Sequence, residues 1–105
     1  MENQDRVTLE RELSELSAQI VALKEALEVK PDYGMGVGDP AVTSWELNRA
    51  LLQRLETRES ELRAAMQRLE QGTYGLCERC GQPIHPDRLA ALPGTRLCIA
   101  CASRG

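Results

Sequence analysis

Leu9, Leu13, Leu16, Ile20, Leu23 and Leu27 recur in alternating steps of four and three, with Glu, Gln, Ser, Ala and Lys filling most positions between them. That spacing lays the apolar residues along one narrow seam of a helix. A second set follows at Trp45, Asn48, Leu52, Leu55, Glu59, Leu62, Met66 and Leu69, again in threes and fours. Thr43-Ser-Trp-Glu46 offers a capping box for its start, and Asp39-Pro40 a competing one with aspartate as cap and proline in the first turn. Gly72 should end this helix, because glycine takes the left-handed conformation that closes a helix terminus.

Neither seam can bury itself, and the connection between them is short. An antiparallel helical hairpin of the coiled-coil kind is therefore predicted over residues 1–71, with a tip loop near 29–43. The expected register sets Leu9 near Leu69, Leu16 near Leu62 and Leu27 near Leu52, with arms roughly 30 to 40 Å long at 1.5 Å per residue. Asn48 and Glu59 fall at seam positions, where a polar side chain either fixes register at some cost in stability or lies at the solvated edge. The stretch YGMGVGDP at 33–40 separates the two helices. Its glycines permit a tight reversal; a phosphate cradle would need a preceding strand and the lysine that this stretch lacks.

Composition leaves little for a larger core. The chain has 105 residues, no phenylalanine, and only Tyr33, Trp45 and Tyr74 as aromatics. Two helices alone are marginal at this size, so the base of the hairpin needs a staple. The net charge of −3 is uneven, with Glu2, Asp5, Glu10, Glu12, Glu15, Glu25 and Glu28 against Arg6, Arg11 and Lys24 in the first 28 residues. No basic stripe suited to a phosphate backbone is found, so nonspecific DNA binding is not expected. No apolar run approaches the roughly 20 residues that span a bilayer, and the acidic N-terminus is unlike a signal peptide. No membrane association is expected, and the chain is expected in the cytoplasm.

The staple is in CERCGQPIHPDRLAALPGTRLCIAC, two Cys-x-x-Cys pairs separated by seventeen residues. In a reducing compartment such pairs point to metal rather than to two disulfides, and four thiolates close a tetrahedral shell. Cys77, Cys80, Cys98 and Cys101 are the expected ligands of one structural Zn2+, in a four-cysteine zinc finger over residues 72–105. Gly81 fits the knuckle after the first pair, and Ile84, Leu89, Leu92 and Leu97 are expected to form a small plug beneath the metal. His85 is expected at the surface, because the cysteines already fill the shell. The fold class is mainly α: a helical hairpin followed by a small metal-held module.

The run Gly72-Thr-Tyr-Gly-Leu-Cys-Glu-Arg-Cys-Gly, with Ile84, Arg88-Leu89, Ala91, Pro93 and Leu97-Cys-Ile-Ala-Cys101, resembles the zinc-finger signature of the DksA/TraR family of bacterial transcription regulators. The resemblance implies a protein that binds RNA polymerase, with no sequence-specific DNA binding expected, its coiled coil in the secondary channel and the hairpin tip acting near the catalytic magnesium. In some members guanosine tetraphosphate takes part. Asp39, Pro40, Ala41, Val42 and Ser44 would then form the partner-binding tip. The family's tip motif, Asp-x-x-Asp-x-Ala, keeps its first aspartate as Asp39, whereas Val42 and Ser44 stand at the second aspartate and the alanine. Cleavage factors of the Gre type hold a metal with paired acids. Only Asp32 accompanies Asp39 in the loop, so no cleavage-promoting activity is expected. After Cys101 only Ala102-Ser-Arg-Gly105 follows, where the resemblance leads one to expect a further helix and firmer hold on the polymerase.

A different class of function is a zinc-stabilised helical module for protein–protein interaction, with the acidic first helix facing another partner. Leu47 and Leu51 lie off the seam, which leaves a monomer or a weak homodimer open. No Ser/His/Asp set or open metal position can be assembled, so the chain is not expected to be an enzyme.

Overall fold

The computed structural model describes residues 2–31 and 38–104. Helix α1 spans Glu2–Leu27 and α2 spans Pro40–Gln71. Neither helix contains a glycine, and the only proline in either is Pro40, at the first position of α2, where it needs no hydrogen-bonded N–H. The chain leaves α1 through Glu28, Val29 and Lys30 toward Pro31, whose ring disfavours helical angles in the residue before it. Asp39 caps α2: its carboxylate accepts from the Ala41 amide at 2.7 Å, and its carbonyl accepts from Thr43 at 3.1 Å. Of the two predicted starts the structure takes Asp39–Pro40, so residues 40–43, expected in the tip loop, form the first turn of α2. Gly72 ends α2 in the left-handed region, its N–H turned back to the carbonyls of Arg68 and Leu69.

The helices pack antiparallel. Ser17 donates to Glu59 at 3.3 Å, Arg58 meets Glu12 at 3.3 Å, Lys24 meets Glu56 at 3.7 Å, and the Trp45 indole donates to the Leu27 carbonyl at 3.2 Å. Glu59, one of the two polar seam residues, thus ties the helices together and also pairs with Arg63 at 3.4 Å. The surface ion pairs among these stabilise little, because water and salt screen them.

Burial is concentrated toward the base. Leu9, Leu16, Ile20, Leu62, Ala65 and Leu69 form the buried cluster, with Leu13, Leu52, Leu55, Met66 and Tyr74 packed around it. Ala65 is fully covered although it belonged to neither predicted seam. Its cover comes from the C-terminal module, described next.

Beyond Gly72 the chain reverses through a ribbon in which Cys77 donates to Gln82 at 2.8 Å and Ile84 donates to Gly75 at 2.7 Å, with Leu76 and Pro83 in an isolated antiparallel bridge. Two short helices complete it, α3 at Pro86–Ala91 and α4 at Ile99–Ser103. Ile84 is buried with Cys77 and Cys101, and Leu89 and Leu97 pack against them as expected of the plug. Leu92 does not join: it is 49% exposed, at the C-terminal cap of α3, where the turn carries Pro93 and Gly94 inward instead.

Because Leu62 is 1% exposed and Leu47 66% exposed, the two leucines of α2 should respond differently to truncation. Leu62→Ala is expected to lower stability by about 2–5 kcal/mol and Leu47→Ala to stay within about 0.5 kcal/mol, read by urea denaturation followed through helical circular dichroism.

Candidate metal centre and hairpin tip

The sulfurs of Cys77, Cys80, Cys98 and Cys101 lie within 4.8 Å of one another, and no other such group of potential ligands occurs among the described residues. Cys80 and Cys98 are 3.8 Å apart, sulfur to sulfur. Four thiolates at about 2.3 Å from one zinc ion would be separated by roughly 3.8 Å, so the spacing and the all-sulfur donor set fit that ion. All four cysteines are free thiols.

Each pair is delivered by local structure. Gly81 donates to the Cys77 carbonyl at 2.9 Å, which bends the chain so that Cys80 faces the same point as Cys77. Cys98 is the N-cap of α4 and Cys101 lies in its first turn, so the second pair converges at a helix start. The Glu78 amide donates to the Arg96 carbonyl at 2.9 Å and joins the two halves beside the sulfurs.

Backbone amides favour negative sulfur here. Hydrogen bonds from the main chain at Cys98, and then at Cys80, bring the Cys77 thiol down to about 6 from its ordinary 9.0. The Cys101 main chain lowers Cys98 in the same way. Cys101 is driven the other way, to about 12, chiefly by the sulfurs of Cys98 and Cys77. Four thiols this close cannot all ionise unaided, because each new thiolate repels the last; a divalent cation removes that conflict.

His85 stands outside the cluster. Its Nδ1 accepts from the Asp87 amide at 3.1 Å, which makes it the N-cap of α3, and its side chain is exposed. Sequence reasoning placed it at the surface but missed the capping role, although His85-Pro86 repeats the cap-then-proline pattern of Asp39-Pro40.

At the other end of the hairpin, Asp39 is half-buried with its carboxylate engaged in the cap. Pro40, Ala41 and Ser44 are exposed and Val42 is half-buried, all within the first turns of α2. The Trp45 ring carries Arg49 over its face at 5.3 Å. Asp32, Gly34 and Gly36 lie outside the described residues; Gly38 has φ +92°.

A helical hairpin with a four-cysteine module at its root defines a recognisable class, and residues 72–104 match the prokaryotic dksA/traR C4-type zinc finger. The chain is similar to the DksA/TraR family through this finger and, as follows, through its fold. It is 37% identical over 70 residues to General stress protein 16O of Bacillus subtilis, covering 65% of this chain and 39% of that protein. It is also 37% identical over 65 residues to the RNA polymerase-binding transcription factor DksA of Caulobacter vibrioides, covering 58% of this chain and 46% of that one. The chain thus spans less than half the length of these curated relatives. Its fold matches the structure of transcription factor DksA2 from Pseudomonas aeruginosa with a TM-score of 0.80 and 28% identity, over 98% of this chain and 81% of that one. Among the described residues no helix is long and apolar enough to cross a membrane.

Metal analysis of purified variants should separate the cysteines from the histidine. Cys98→Ser is expected to lose most of its zinc, and His85→Ala to keep the full amount while losing up to about 1 kcal/mol of stability with the cap.

Proposed function

We propose that this chain is a non-enzymatic transcription regulator of the DksA/TraR type, acting in the cytoplasm by binding RNA polymerase with the hairpin tip in the secondary channel. The observation that carries the reading is the fold match to a transcription factor over 98% of the chain, which takes in the hairpin as well as the finger. The name of the Caulobacter relative, an RNA polymerase-binding factor, supports the choice of partner.

In this reading one zinc ion is held by Cys77, Cys80, Cys98 and Cys101. When bound it supplies charge that lets all four thiols ionise, and with no open coordination position it serves structure rather than chemistry. Binding of this kind contributes on the order of 10 kcal/mol to folding of a small module. The polymerase-facing residues are Asp39, Pro40, Ala41, Val42 and Ser44, at the end of a molecule 55 Å long by 30 and 20 Å across. That shape suits entry into a narrow pore.

The tip would act by occupying space and contacting protein rather than by holding a catalytic ion. Asp39 spends its carboxylate on the Ala41 amide, and Val42 offers no second acid. Among the described tip residues this leaves a single, hydrogen-bonded carboxylate, which is a poor magnesium site.

Co-purification with RNA polymerase, competed by a known secondary-channel factor, is the expected outcome; absence of binding at micromolar concentration overturns the reading. In cleavage assays on backtracked transcripts the protein is expected to leave the rate unchanged. Acceleration that disappears with Asp39→Asn would show that the tip does hold a working metal.

A further inference from the structure

We propose that the Pro93–Gly94 turn is a brace which, with Arg58, fixes the direction of the helical hairpin relative to the four-cysteine module. The covalent link between these parts is one strand at Gly72, and a single strand alone would let the module pivot. A second point of attachment removes that freedom.

The turn is built for this place. Pro93 and Gly94 are both buried, although they belong to a loop between two short helices. Gly94 has φ +84°, and a Cβ there would stand 3.1 Å from Leu62 Cδ2, 3.5 Å from Ala65 Cβ and 3.9 Å from Leu9 Cδ2. The positive φ favours glycine, and a side chain there would strain the backbone and crowd Leu62. Leu9 and Leu62 are the largest fully buried side chains among the described residues, so the turn lies against the most completely covered part of the hairpin.

A buried turn must find partners for its backbone groups, and here they come from the hairpin and the strand after it. Arg58 donates to the Pro93 carbonyl at 2.9 Å and Arg68 to the Gly94 carbonyl at 3.1 Å; the Gly94 amide donates to the Tyr74 hydroxyl at 3.2 Å. Arg58 also reaches Glu12 on α1 at 3.3 Å. One guanidinium therefore touches α1 and the finger turn while rooted in α2. Charge-assisted bonds of this sort to buried carbonyls are stronger than neutral ones.

The lever is long. The 32 residues of α2 run about 48 Å at 1.5 Å per residue, so a pivot of roughly 10° at the base would displace the tip by about 8 Å. The bearing of the brace on tip placement rests on the function proposed above; the brace itself does not.

Amide residual dipolar couplings of the full-length, zinc-loaded chain in weak alignment test this directly. In the unaltered protein one alignment frame should fit both α2 and residues 76–101. In Gly94→Val and in Arg58→Met, zinc content and α2 helicity should be retained while the two parts require separate frames. If the unaltered protein already needs two frames, or if both variants fit the original single frame, the brace is refuted. Should Gly94→Val fail to fold, Arg58→Met decides alone. Zinc analysis of the same samples keeps the questions apart: a chain without zinc removes the metal assignment, whereas a zinc-loaded chain with two frames removes only the brace.

Discussion

The convergence of four sulfurs on one point is the constraint from which the rest of this structure follows. Cys77 and Cys80 sit on a tight ribbon and Cys98 and Cys101 at the start of a helix, so bringing them together closes the intervening chain into a loop. That loop carries its own small plug, centred on Ile84, and sets Gly94 against Leu9, Leu62 and Ala65. A hairpin of two amphipathic helices, short of aromatic residues, thereby gains a third packing partner at its root. Without it the pair would rely on a single narrow seam.

Much of this was legible in the sequence, because the signals were local or periodic. The alternation of fours and threes marked the seam from Leu9 to Leu27 and again from Trp45 to Leu69; Gly72 marked the end of α2, and the spacing of the cysteines marked the cluster. What could not be read depends on contacts far apart in the chain. Pro93-Gly94 reads as an ordinary exposed turn, and nothing nearby signals that it is buried by α1 and α2. Ala65 is short enough to be passed over in an apolar stripe, yet it is the surface on which Gly94 lands. Leu92 followed the rule that leucines fill plugs and failed it, standing half exposed at the C-terminal cap of α3. The choice between Asp39 and Thr43 as cap rested on two sound local rules, and the structure follows aspartate with proline behind it.

Burial falls off along the hairpin, and the chemistry of the contacts changes with it. At the base, leucines are fully covered and backbone carbonyls receive arginine. Midway, Ser17 and Glu59 exchange a hydrogen bond in half-covered surroundings. Toward the tip, the described residues are held chiefly by the Asp39 cap and by Trp45 reaching across to the end of α1. Under the function proposed above, such a gradient suits a rod anchored at one end and working at the other: the anchor needs rigidity, and the working end needs accessible surface with some freedom to adapt.

Trp45 is the chain's single tryptophan, and it sits at the end of the molecule remote from the cysteines. Half-covered, bonded to the Leu27 carbonyl and overlain by Arg49, its indole senses both helix ends at once. Tryptophan emission from this protein, excited where Tyr33 and Tyr74 do not absorb, therefore has one address, and it lies next door to Asp39 and Val42. Nature has installed a native fluorophore where an experimenter would otherwise have to attach a dye.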